Sequence, residues 1–185
     1  MKRIIYISFI VLTIVLSWSC EAIYDWNQPK EPTTEYSSIF PLSGEWYVTY
    51  KFDDGSGVID DYYGLGYLRL WTTNTAANDG KDMWISDGAN TGGGGNFWYY
   101  SVKTPINVSA KTFSGTGLES VIDDGGTPYE VTINIANGKV IEDGGLSTSG
   151  VVVDSIYFEI EFSDDPGNIY YCSGTRRTGF PEDDH

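Results

Sequence analysis

The sequence predicts an all-β fold, either a sandwich or a closed antiparallel barrel, and three observations carry that expectation. Fourteen tyrosines and 22 glycines stand against two methionines in 185 residues, a composition of short strands and tight turns rather than long helices. Residues 45–52 alternate strictly, with Trp46, Val48, Tyr50 and Phe52 on one face and Glu45, Tyr47, Thr49 and Lys51 on the other, the period of a strand buried on one side. Nearly every gap between apolar runs holds Gly, Asn-Gly, Asp-Gly or Pro-Gly, the residues that turn a chain back on itself.

Taken in order, the chain opens with an export signal. Lys2 and Arg3 precede an apolar run from Ile4 to Leu16, broken only by Ser8 and Thr13, which is too short to span a bilayer. Leu16-Ser17-Trp18-Ser19-Cys20 resembles the lipobox of bacterial lipoproteins in the looser form seen in Bacteroidetes, with Ser17 where an aliphatic residue is usual. The resemblance implies that residues 1–19 are a lipoprotein signal peptide and that Cys20 is the lipid attachment. It also implies a lipid-anchored place at the bacterial outer membrane, on its periplasmic or cell-surface face. Glu21 and Asp25 resemble the signal that sends such proteins outward, and Ser155 in Asp154-Ser155-Ile156 resembles a short O-glycosylation motif of the same phylum.

Residues 20–41 contain three of the seven prolines and no sustained period, and are read as a tether. From residue 42 to 181 strand follows strand: after 45–52, strands are expected at 66–73, 82–86, 97–104, 107–113, 129–135, 139–142, 151–162 and 169–176. Residues 182–185 form an acidic tail.

Charge excludes one class of function. The chain carries 26 acidic and 11 basic residues, and losing Lys2 and Arg3 with the signal leaves nine basic and a formal charge of −17. No nucleic acid partner is expected, because binding phosphates needs clustered positive charge. With Cys20 lipidated, Cys172 is alone and is read as a small buried strand residue, since the single histidine, His185, lies far along the chain. The acid pairs Asp53-Asp54 and Asp60-Asp61 sit beside glycines and are read as turn residues; a calcium site there lacks the spaced acid-Gly-acid pattern. No metal and no cofactor are expected. Glu159 and Glu161 share the parity opposite Ile156, Phe158, Ile160 and Phe162, which puts them on the solvent face.

Ser43-Gly44-Glu45-Trp46-Tyr47-Val48, Met83-Trp84-Ile85-Ser86-Asp87, Asn96-Phe97-Trp98, Val102-Lys103 and the ending Ser173-Gly174-Thr175-Arg176-Arg177-Thr178-Gly179-Phe180 together resemble the lipid-binding putative hydrolase family of Bacteroidetes lipoproteins, a lipocalin-like group. The resemblance implies an up-and-down lipocalin-like β-barrel of about eight strands. Its floor would be closed by Trp46 under Arg176 or Arg177, with Arg176 preferred because it shares parity with Cys172. It also implies a ligand cavity. Tyr50, Arg69, Trp71, Trp84, Trp98 and Tyr157 are the expected ligand-binding residues: large rings on inward strand faces suit an apolar ligand, and Arg69 would hold its polar end. The expected partner is a small hydrophobic molecule or lipid, neutral or zwitterionic given the charge, bound by a monomer held at the membrane through its N-terminal lipid. Two rival functions are a glycan-binding module, which would present tryptophans in an outward row, and a lipid or ester hydrolase. The sequence leans away from an enzyme, since it shows no Gly-x-Ser-x-Gly elbow and no base beside a nucleophile.

Overall fold

Strand β1 (Gly44–Asp53) runs the length of a barrel wall and carries the alternation of its sequence, with Trp46, Val48, Tyr50 and Phe52 inside and buried. The structure is a computed structural model that describes residues 36–87, 97–121, 123–124, 127–128 and 130–185. The expected signal peptide (residues 1–19), Cys20 and the first part of the expected tether lie outside the described residues.

After β1, the short β2 (Val58–Asp60) folds back onto it, and β3 (Leu68–Asn74), β4 (Asp82–Ser86), β5 (Ser101–Asn107) and β6 (Thr112–Glu119) follow as a meander. The small pair β7 (Asp123–Asp124) and β8 (Thr127–Pro128) stands apart from the barrel sheet. The wall resumes with β9 (Thr132–Leu146), β10 (Val152–Phe162) and β11 (Tyr170–Arg176). β11 then pairs antiparallel with β1, Trp46 opposite Arg176 and Phe52 opposite Tyr170, so eight strands close an antiparallel barrel.

Eight strands leave an interior just wide enough for side chains or one small ligand. Here side chains fill much of it: Val48, Leu70, Met83, Ile85, Val102, Ile133, Ile156, Phe158, Ile160 and Cys172 are all buried to within 1%. Each large apolar side chain so placed stabilises the fold by roughly 1.5–3 kcal/mol.

The floor, where β1 begins and β11 ends, is closed by Trp46. Its indole Nε1 donates to Thr72 Oγ1 at 2.9 Å, and that hydroxyl donates to the Leu42 carbonyl at 2.6 Å. The Arg176 guanidinium lies 4.4 Å over the ring and also pairs with Asp154 at 3.1 Å and donates to the Ser43 carbonyl. Gly44 is required by this packing, because a Cβ there would stand 2.5 Å from Arg176 Nη1. Arg177 has the opposite parity and turns outward to Glu45 and Asp184.

Four expected segments differ from the structure. Residues 97–100 are not strand, because their backbone is held by a carboxylate, as described below. Residues 107–113 contain the turn between β5 and β6, where the Lys111 N–H meets the Val108 carbonyl. The two strands expected at 129–135 and 139–142 are the single β9, whose inward parity switches from Ile133 and Ile135 to Val140 across a bulge at Asn137, a residue with φ of 54°. The compact unit spans Tyr36–His185. Ile39 and Leu42 are fully buried, and Asp183, in a 3₁₀ turn over Pro181–Asp183, is buried beneath hydrogen bonds from Ser149 and Thr178.

Candidate functional site

The other end of the barrel is a mouth built of rings. β1 ends there with Tyr50 and Phe52, β10 with Phe162, and β11 begins there with Tyr170. Phe97 lies flat on Tyr50, with centroids 3.8 Å apart and planes 2° from parallel, and meets Tyr170 edge-on at 5.0 Å. Trp98 stacks on Phe162 at 4.6 Å and donates its Nε1 to Asp164 at 3.1 Å. Tyr63 closes the set from the loop before β3, its hydroxyl 3.1 Å from that of Tyr170. Such offset and edge contacts each contribute about 0.5–1.5 kcal/mol beyond burial.

Phe97 and Trp98 belong to no strand. They are held by Asp87, immediately after β4, whose carboxylate accepts the backbone N–H groups of Trp98 (3.0 Å), Tyr99 (2.7 Å) and Tyr100 (2.9 Å). Tyr99 takes a φ of 57°, a conformation that a bulky side chain adopts only when its surroundings impose it. Burial pushes the Asp87 carboxyl up, against the pull of those donors. Beneath, the hydroxyls of Tyr50 and Tyr100 meet at 3.1 Å, and burial pushes both well above the ordinary tyrosine range. A crevice between Tyr50, Tyr63, Leu68 and Phe97 leaves no room for a water-sized sphere. Phe97 thus stops the mouth.

Of the six expected ligand-binding residues, only Tyr50 and Trp98 meet here, through Phe97. Arg69, Trp71, Trp84 and Tyr157 were expected to face inward, and the ladder corrects this. Leu68, Leu70 and Thr72 take the inner positions of β3, Met83 and Ile85 those of β4, and Ile156 and Phe158 those of β10, so their neighbours point out. Arg69 reaches Glu45 at 3.5 Å. Trp71 and Trp84 stand half-buried on the outer wall, opposite Ser86 and Thr73 across the β3–β4 ladder. Tyr157 donates to Glu159 at 3.0 Å beneath the Lys139 ammonium, and burial and Glu159 push its hydroxyl up to about 12. It lines an open outer concavity of about 770 Å³ with Pro105, Asn107, Thr112, Lys139 and Glu159. Phe97, Phe162, Tyr170, Tyr63 and Asp87 were not among the expected site residues. The Phe97-Trp98 pair following a glycine run was the one available signal.

The mouth is apolar within and acidic at its rim, with Asp61, Asp164 and Asp165 around it. Among the described residues no lysine or arginine stands over any of its rings. In chemistry the rings match an uncharged apolar body, and the acidic rim disfavours an anionic head. Of the acid pairs read as turn residues, Asp53 accepts the Gly55 N–H, Asp54 that of Ser56 and Asp61 those of Leu65 and Gly66, while Asp60 pairs with Lys51. Among the described residues no group of three ligating side chains could hold a metal ion. His185 lies 3.3 Å from the Thr148 hydroxyl, and among the described residues no carboxylate hydrogen-bonds its ring.

The sequence model of a family described as lipid-binding putative hydrolase matches residues 31–181, most of the chain. No curated protein matches it.

Proposed function

The chain belongs to the lipid-binding putative hydrolase family, and from that premise we propose an envelope lipoprotein that holds a lipid or other small apolar molecule at the mouth of its barrel. One observation carries the proposal: Phe97 lies parallel to Tyr50 where an apolar ligand would lie, yet it belongs to no strand and its segment is held through Asp87. A ligand that displaces Phe97 inherits a bed of Tyr50, Phe162, Tyr170 and Trp98, and apolar burial drives the exchange. The acidic rim selects a neutral or zwitterionic polar end over an anionic one. The protein acts by binding and release, without turnover, as a monomer anchored through Cys20 at the outer membrane.

The test uses the full chain carrying Cys20→Ala, so that no lipid of its own competes. Nile red should brighten on binding and quench tryptophan emission, and a short-chain phosphatidylcholine should displace it better than the matching phosphatidylglycerol. Phe97→Ala should bind Nile red more tightly than the parent. If neither protein binds the dye, the mouth is a packed end of the barrel and no ligand site. The same Cys20→Ala chain should leave the membrane fraction, and its retention there would remove the anchor.

A further inference from the structure

We propose that a second site, on the outer wall near the floor and independent of the mouth, binds a neutral saccharide of one or two rings. A cleft of about 310 Å³ lies across β1, β11, β10 and the end of β9, enclosed by the 147–149 turn, the 181–185 segment and Tyr67. That volume sits at the lower end of the roughly 300–1,000 Å³ typical of small-molecule sites.

Its floor is a patch of unspent hydroxyls. Thr49 faces Ser173 across the β1–β11 ladder, and Ser155 faces Thr175 across β10–β11, all four half-buried. Among the described residues none of these hydroxyls has a hydrogen-bond partner, whereas the neighbouring Thr178, Ser149 and Tyr47 hydroxyls are all engaged by Asp183 or Asp184. A hydroxyl both donates and accepts, so a contiguous set of four matches a ligand that presents hydroxyls of its own. The backbone keeps the floor open, since a Cβ on Gly145 would stand 2.6 Å from Thr175 Cγ2.

One wall is aromatic. Tyr67, about half exposed, and His185, stacked on it at 4.0 Å, both line the cleft, and a flat ring there suits the C–H face of a sugar. The charges exclude an anionic occupant. Arg176 is paired with Asp154, Arg177 with Glu45 and Asp184, and Lys51 with Asp60, so the cations around the cleft are already neutralised. A ligand that is rich in hydroxyls, carries no charge and has one apolar face is a sugar.

Saturation-transfer NMR on the full chain, with glucose, galactose, mannose, N-acetylglucosamine and disaccharides of each, should show transfer from the protein to at least one of them. The double substitution Thr49→Val and Thr175→Val removes two hydroxyls without changing shape or strand preference and should weaken that ligand about tenfold, the loss expected of two unmade hydrogen bonds. Tyr67→Ala, at an exposed position, should weaken it as well. No transfer to any neutral sugar overturns the proposal. So does displacement by inorganic phosphate, which would make this an anion site. Loss in Trp84→Ala with none in the hydroxyl variant or Tyr67→Ala also overturns it, because binding would then lie on the outer tryptophans.

Discussion

Replacing Trp46 with alanine tests the closure of the barrel most directly. The ring is fully buried, and truncating a large buried aromatic costs about 3–5 kcal/mol. Two further losses come from its partners: the indole N–H no longer meets Thr72, worth about 1 kcal/mol, and Arg176 loses the face it covers, worth about 0.5–2 kcal/mol. These overlap with the burial term, so the expected total is about 5 kcal/mol, comparable to the whole stability of a marginal domain at about 5–15 kcal/mol. Denaturant unfolding followed by far-ultraviolet circular dichroism measures it without depending on tryptophan emission. For a domain of this size the melting temperature should fall by roughly 10–20 °C, at about 2–4 °C per kcal/mol. Trp46→Phe, which keeps a ring and loses the N–H, should cost about 1–2 kcal/mol. A double-mutant cycle with Arg176→Met then isolates the stacking. A loss below about 1 kcal/mol for Trp46→Ala, or zero coupling in the cycle, would refute the closing role of the pair.

Asp87→Asn should destabilise the barrel by about 1–3 kcal/mol and raise amide exchange at 98–100, because one carbonyl replaces a carboxylate serving three donors; unchanged exchange would show that packing alone holds the segment. Asp184 is held down to about 2, first by hydrogen bonds from Arg177. Its folded value lies below the ordinary carboxylate value, so its contribution is complete above about pH 4 and is lost as pH falls through about 2. An NMR titration showing Asp184 at the ordinary carboxylate value would show that Arg177 does not hold it in the folded protein. Burial pushes the Cys172 thiol well up, so a thiol reagent should leave it untouched in the native protein and modify it fully in denaturant. Rapid native reaction would mean that β11 is open.

Period-two alternation made most of the wall legible. In β3 it placed Arg69 and Trp71 on one face and Leu68 and Leu70 on the other, and the outward turn of Trp71 follows from that parity rather than from the size of its ring. Thr72 hides the pattern, since it is polar yet buried for the sake of Trp46 and the Leu42 carbonyl. The stopper at the mouth was not legible, because 97–100 reads as strand until a carboxylate 13 residues before Tyr100 takes its N–H. Asn137-Gly138 reads as a hairpin turn, and only the pairing of β9 with β10 on both sides of it shows a bulge. The four idle hydroxyls of the cleft come from three strands, so their adjacency exists only in the closed register.

The pairing of the first wall strand with the last also sets when this protein can fold. The Arg176 contact to the Ser43 carbonyl spans 133 residues, and the floor forms only after nearly the whole chain is available. Loop entropy must be lost before that contact is gained, so a high contact order and slow closure follow. Until then β1 and β11 are bare edges, each able to pair with another molecule, and a nascent or truncated chain ending before Tyr170 keeps β1 open permanently.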